Sequence, residues 1–255
     1  MTTNLATKAQ TLRELHRPGD PLVLANAWDV ATAKQVVEAG FPAVATTSSA
    51  ISWSLGHEDG QDTPPDEMFA VAARIAANVD VPVTADLEAG YGLSPEELVE
   101  RMREAGLVGL NFEDTDHDSG DKSLVDPDTQ AARVAALREA SRAADFDIVI
   151  NARMDPYLRG AENALEDSLH RARLYIEAGA DCAFPAGVKD EAEIERLTSE
   201  LTAPVNVLLI PGVPDIPRLA ELGVGRVSVG GGLGKAALHF HAQKLAGLRE
   251  GRSYW

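Results

Sequence analysis

The chain is 255 residues long, which suits one (β/α)8 barrel or one large α/β domain and is short for two full-sized enzyme domains. Its 45% apolar and 25% charged residues are those of an ordinary globular protein and exclude disordered, collagen-like and disulfide-scaffold classes. With 40 Asp and Glu against 23 Lys and Arg, the formal charge of −17 repels phosphate backbones and anionic lipid, so neither nucleic acid nor a membrane is an expected partner.

In chain order, short β-branched apolar runs alternate with longer segments of helical period, the pattern of a parallel sheet wound with helices. Eight strands are predicted, at 22–27, 43–47, 83–86, 109–113, 148–152, 182–185, 205–209 and 226–229. The helices predicted among them run 30–39, 66–78, 95–105, 129–143, 164–178, 191–201, 216–222 and 236–248. Ser94, before Pro95 and two glutamates, reads as an N-cap, and Asp128 is expected to cap its helix similarly. Helices are expected to stop at Gly40, Gly106, Gly179 and Gly223, where glycine can turn left-handed before the next strand.

The expected fold class is therefore α/β: a single (β/α)8 TIM barrel over residues 1–255 with a short N-terminal helix. A doubly wound open sheet is the alternative, but Asn26-Ala27-Trp28-Asp29 after the first strand has none of the glycines that fold uses there. The longest irregular stretches, 48–65 and 115–126, each follow a strand and are expected to be loops of the active face. Residues 1–15 hold no apolar run and no stretch approaches the ~18 apolar residues of a membrane span, so a cytoplasmic protein is expected. The single cysteine, Cys182, excludes intramolecular disulfides, zinc–thiolate clusters and a CxxC pair, and its apolar setting predicts a buried thiol.

In a barrel the chemistry sits at the C-terminal ends of the strands, and here those ends are acidic. Asp86 and Glu88 close the third strand, where alternation predicts that both face the barrel mouth. Glu113 and Asp114 close the fourth, and Glu58 and Asp59 follow the second. Crowded carboxylates cannot all stay ionised without a cation, and hard oxygen ligands suit Mg²⁺ or Mn²⁺. Taken singly, each acid is as well explained by helix capping. Arg153 on the fifth strand offers a planar fork for a carboxylate or phosphonate, or else a structural ion pair with Asp86, Glu113 or Asp155. Asn206 offers an amide for a second carboxylate, and the small residues Ser48-Ser49-Ala50 leave backbone N–H groups for an oxyanion. His239 and His241, two apart on a helix, face different ways and are expected to be surface or packing residues rather than a zinc pair. The run Gly230-Gly231-Gly232-Leu233-Gly234 has the form of a phosphate cradle and supports a rival, metal-free phosphosugar enzyme.

These residues resemble the isocitrate lyase/phosphoenolpyruvate mutase superfamily. The carriers are Asn26-Ala27-Trp28-Asp29, Asp86-Leu87-Glu88-Ala89-Gly90-Tyr91-Gly92, Asn111-Phe112-Glu113-Asp114, Asn151-Ala152-Arg153-Met154-Asp155 and Pro204-Val205-Asn206, spread over nearly the whole chain. The resemblance implies Mg²⁺-dependent making or breaking of C–C or P–C bonds in 2-oxo or 2-hydroxy acids, and a homo-oligomer, dimer or tetramer. It implies Asp86 as direct metal ligand, with Asp59, Glu88 and Glu113 holding metal-bound waters. Arg153 would bind the substrate's carboxylate or phosphonate, and the amides of Ser48, Ser49 and Ala50 the pyruvyl carboxylate and enolate oxygen.

One departure matters. Lyases of the superfamily carry Lys-Lys/Arg-Cys-Gly-His in a mobile loop after the fourth strand and mutases carry Lys-x-Asn-Ser, whereas residues 115–126 contain neither. Isocitrate cleavage and phosphoryl shuttling are therefore not expected, and His117 or Lys122 is left as candidate proton carrier. The expected function is Mg²⁺-dependent cleavage of a small anionic 2-oxo or 2-hydroxy dicarboxylate, oxaloacetate-like, through an enolate. Phosphonopyruvate chemistry and a catalytically degenerate metabolite-binding barrel are the alternatives.

Overall fold

All eight predicted strands are present in a computed structural model that describes residues 2–121 and 123–255. The first is broken at Ala25 into β1 (Leu22–Leu24) and β2 (Asn26–Ala27). The others are β3 (Val44–Thr46), β4 (Val83–Asp86), β5 (Gly109–Glu113), β6 (Val149–Met154), β7 (Cys182–Pro185), β8 (Asn206–Leu208) and β9 (Arg226–Ser228). Every pairing is parallel: β2 to β7 follow chain order, β1 and β8 flank β9, and a bridge from Ala183 to Val205 joins β7 to β8. The circle is closed, and the open-sheet alternative is excluded.

Around it lie α1 (Thr2–Glu14), α2 (Val30–Glu38), α3 (Ser48–Leu55), α4 (Pro65–Ala76), α5 (Pro95–Ala105), α6 (Pro127–Ala143), α7 (Ala164–Glu177), α8 (Glu191–Glu200), α9 (Ile216–Glu221) and α10 (Gly232–Arg249). α5 shows why the local reading works. Ser94 accepts from the Glu97 amide, Pro95 opens the helix, acids occupy the first turn and Arg103 the last, and Gly106 takes φ 76°. Leu98, Val99, Met102 and Ala105 form the buried stripe that holds the helix to the barrel. The glycines at 40, 179 and 223 are left-handed as expected.

Several expectations need correction. Residues 48–65 are not all loop, because Ser48–Leu55 is helical. The cap of α6 is Asp126, which accepts from the Thr129 amide; Pro127 begins the helix, so Asp128 lies inside its first turn. α10 starts at Gly232 rather than at residue 236, absorbing half of the glycine run. β6 runs on to Met154, so Arg153 belongs to the strand itself.

Both faces of the strands are covered, so apolar side chains such as Leu110 and Ile150 pack outward under the helices while the interior is polar. Asn111 donates to Asp86 and accepts from Asn151 and Arg226, which places all four inside the barrel. α1 stoppers the N-terminal end. Leu12 is fully buried there, and a Cβ at Gly109 would stand 2.8 Å from its Cδ2, so only glycine lets the helix approach β5 this closely. Below the polar layer, His16 sends Nδ1–H to the Leu12 carbonyl at 2.7 Å and turns Nε2 to Arg226 Nη1 at 3.4 Å. Burial first, and the Arg226 cation second, hold His16 down at about 4. Cys182 is buried as expected, and its thiol is pushed up to about 12 by that burial.

Candidate active site

At the open end β3 and β4 bring Ser48 and Asp86 together. Asp86 ends β4, and Oδ2 accepts from both the Ser48 amide, at 3.2 Å, and the Ser48 hydroxyl, at 2.9 Å. Oδ1 accepts from Asn111 Nδ2 at 3.2 Å, and the Asp86 amide donates to Thr46 Oγ1 at 3.0 Å. Ser48 Oγ is also 3.0 Å from Asp59 Oδ1. One hydroxyl proton thus stands between two carboxylates, and Asp59 is pushed up first by burial and then by Asp86.

Glu88 reaches the site by a different route from the one expected. β4 ends at Asp86, and Glu88 stands beyond it with φ 50°, so a left-handed turn rather than strand alternation aims it inward. The Gln61 amide, at 2.6 Å, and the Tyr91 hydroxyl, at 2.8 Å, donate to its two oxygens. Burial, then Glu113 and Asp86, push Glu88 up to about 8. Glu113, at the end of β5, has Oε1 2.6 Å from His117 Nε2 and Oε2 2.6 Å from Arg153 Nη1. Burial pushes Glu113 up as well, against the pull of Arg153 and His117. Among the described residues, Glu88, Glu113 and His117 are the three side chains whose ligand atoms all come within 4.8 Å of one another.

Arg153 lies between carboxylates. Nε and Nη2 donate to the two oxygens of Asp155 at 2.7 and 2.9 Å while Nη1 meets Glu113. Burial alone would lower this guanidinium, but Glu113 and Asp155 outweigh it and hold the proton firmly. Asp114 is structural: it accepts from Arg171, Tyr175 and the Asp155 amide, and burial pushes it up to about 6. The segment that carries His117 is a short hairpin, with Thr115 bridged to Leu124 and the Asp116 amide donating to the Ser123 carbonyl at 2.8 Å. Its folding back turns His117 inward, leaving the side chain 6% exposed. Lys122 lies outside the described residues.

A cavity of about 460 Å³ opens over these groups. Ser48, Ser49, Asp59, Asp86 and Arg153 line it, while Glu88, Glu113 and His117 stand behind the wall. Ala50 faces a neighbouring recess with Trp28 and Trp53, although its amide belongs to the α3 first turn, where N–H groups have no acceptor within the helix. Asn206 is not on the wall: it is fully buried, a layer below Leu208, with Ser228 Oγ 3.3 Å from its Oδ1. Two residues quoted only as motif letters have positions of consequence. Asn111 holds Asp86, and Asn26 Oδ1 accepts from the Val229 and Gly230 amides, fixing the exit of β9. Asn111 sits two before Glu113 on one strand, and that spacing is the signal that could have placed it inside. Asn26 has no such signal.

The sequence profile of phosphoenolpyruvate phosphomutase matches residues 12–249. The chain belongs to this phosphomutase family. Among its relatives is the uncharacterised Rv1998c of Mycobacterium tuberculosis (strain ATCC 25618 / H37Rv), 34% identical over 94% of this chain and 90% of its own length. The 2-methylisocitrate lyase of Aeropyrum pernix is 31% identical over 76% of this chain and 63% of that protein. A solved structure from Burkholderia cenocepacia J2315, assigned provisionally as a phosphonomutase, superposes with a TM-score of 0.88 at 40% identity, covering 94% of this chain and 99% of that one. The family thus includes lyases and mutases, which supports an enzyme. No helix among the described residues is long and apolar enough to cross a membrane.

Proposed function

We propose that the protein is a divalent-cation-dependent enzyme that cleaves a carbon–carbon bond in a small 2-oxo or 2-hydroxy dicarboxylate of the oxaloacetate kind, through an enolate. The observation that carries the reading is charge. Asp59, Asp86, Glu88, Glu113 and Asp155 crowd one side of the cavity around a single arginine, and burial and mutual repulsion push three of them toward taking up protons. Such a set fits a hard cation, which would take the place of those protons. Asp86, Asp59, Glu88 and Glu113 would hold Mg²⁺ or Mn²⁺. When bound, the ion acts as a Lewis acid toward the charge a 2-oxo acid develops as its bond breaks, typically worth several kcal/mol of barrier.

The remaining roles fall to the chain itself. The first-turn amides of Ser49 and Ala50 orient the 2-oxo acid carboxylate, that of Ser48 being given to Asp86 instead, and Arg153, braced by Asp155, presents its remaining protons to the cavity. His117, oriented by Glu113, is the described candidate to carry a proton. A homo-oligomer belongs to the same reading, because α10 exposes Leu238, Phe240, Leu245 and Leu248. The 40% identity to a provisionally assigned phosphonomutase favours a second reading, cleavage of phosphonopyruvate.

The test is a screen of 2-oxo and 2-hydroxy diacids and phosphonopyruvate with and without Mg²⁺, read by pyruvate release and by melting shift. Metal-dependent turnover of a diacid is expected. Turnover of phosphonopyruvate alone would establish the second reading, and no turnover with no metal-dependent binding of oxalate, an enolate mimic, would reduce the barrel to a degenerate scaffold.

A further inference from the structure

Besides the acids, the cavity is lined by Ser49 and Trp53 of α3 and by Gly230, Gly231 and Lys235 at the root of α10. We propose that Lys235 binds the far anionic group of the substrate, so that the preferred ligand is a 2-oxo acid carrying a second acid group, carboxylate or phosphonate, at its distal end. The inference rests on the proposed reading of the acidic wall as the place where the 2-oxo acid end is held.

Among the described residues that line the cavity, the cations are Arg153 and Lys235. Arg153 is already matched by two carboxylates, Asp155 through two hydrogen bonds and Glu113 through an ion contact at 2.6 Å. Its charge is balanced by them, so it offers a ligand N–H groups rather than net charge, and a divalent ion among the three further carboxylates of Asp59, Asp86 and Glu88 carries no surplus either. Lys235 differs. It forms no ion pair among the described residues, and its Nζ stands 5.7 Å from the centre of the Trp53 ring, a face that steadies a cation without neutralising it. Asn206, the residue expected from sequence to take a second carboxylate, is buried outside the wall and leaves that role open.

Lys235 is also held in register with the acidic wall. Asn26 clamps the Val229 and Gly230 amides at 3.0 and 2.9 Å, and a Cβ at Gly231 would fall 2.5 Å from Ser49 Oγ, so the α10 root is pressed onto the α3 turn that delivers Ser48 to Asp86. The Lys235 amide, bonded to the Gly231 carbonyl at 2.9 Å, lies one turn into the helix from that contact.

The test measures binding of oxalate, pyruvate, oxaloacetate and phosphonopyruvate by calorimetry with Mg²⁺ present, for the unaltered protein, Lys235→Met and Lys235→Arg. Oxalate and pyruvate fill only the acidic-wall end. The expected result is that Lys235→Met weakens oxaloacetate or phosphonopyruvate at least tenfold, as for loss of a charge-assisted hydrogen bond, and oxalate less than twofold, with Lys235→Arg restoring most of the difference. Whichever dianion loses more identifies the distal group. Dianions binding Lys235→Met within twofold of the unaltered protein, or oxalate weakening as much as they do, would overturn the proposal. Absence of Mg²⁺-dependent oxalate binding by the unaltered protein would instead bring down the reading of the acidic wall, and this inference with it.

Discussion

The two ends of the barrel are hollow in different ways. At the N-terminal end a recess of about 580 Å³ lies between α1 and α6, larger than the cavity of about 460 Å³ at the other end. Two of its three arginines are answered: Arg13 donates to Asp181 at 2.9 Å, Arg138 to Asp147 at 2.6 Å, and both donate to the Ile148 carbonyl. At the C-terminal end the acids outnumber their partners, two carboxylates share one serine hydroxyl and two others share one arginine. Volume alone would select the wrong hollow. Unbalanced buried charge selects the one that can do chemistry.

That contrast can be broken from the closed end first. Leu12→Ala removes the fully buried stopper against Gly109 and is expected to cost about 2–5 kcal/mol in denaturant unfolding, while metal-linked stabilisation at the far end survives. Loss of both together would mean the two ends are not independent. The next effect is one of pH. His16 is neutral in the folded protein down to about 4, whereas an unfolded histidine takes its proton near the ordinary 6.5. Its contribution is therefore complete above pH 6.5 and is lost as pH falls from 6.5 toward 4, about 3 kcal/mol across the window. His16→Gln should flatten that part of the stability–pH curve; an unchanged slope would show that His16 is not held neutral.

The smallest expected effect sharpens the open end. Arg153→Lys keeps a cation but loses the fork that Asp155 grips at two points, and is expected to weaken oxalate about tenfold, about 1.4 kcal/mol, with little change in melting temperature. Equal binding would make Arg153 purely structural.

Much of this was legible in sequence where a residue's environment is set by its neighbours along the chain. The strands are legible because the residues that pack outward under the helices, such as Leu110 and Ile150, must be apolar even where the inward ones are polar, and the caps at Ser94 and Gly106 because their chemistry is local. α3 was not read. Its Ser-Ser-Ala-Ile-Ser-Trp-Ser-Leu run has weak helix propensity and no side-chain cap, and it is helical because Ser48, Ala50, Ile51 and Ser52 are buried against the rest of the molecule. Asp86 and Glu88 were placed together through an alternation that stops at Asp86, and the left-handed turn at Glu88 achieves the same convergence. His117 is legible from sequence only as a candidate on an irregular loop, and it is the hairpin folding it back onto Glu113 that buries it. Lys235 gave no signal at all, since its place on the cavity wall depends on where α10 begins and on how closely Gly231 meets Ser49.

The most direct measurement of the central claim is thermal unfolding at rising Mg²⁺ or Mn²⁺, for the unaltered protein and for Asp86→Ala. An ion seated among Asp86, Asp59, Glu88 and Glu113 stabilises the folded state by about 2.7 kcal/mol at a hundred times its dissociation constant. The melting temperature should therefore climb with metal in the unaltered protein and stay flat in the variant, with both folded at the outset. A melting temperature indifferent to either ion, or one that climbs equally without the Asp86 carboxylate, would contradict the account.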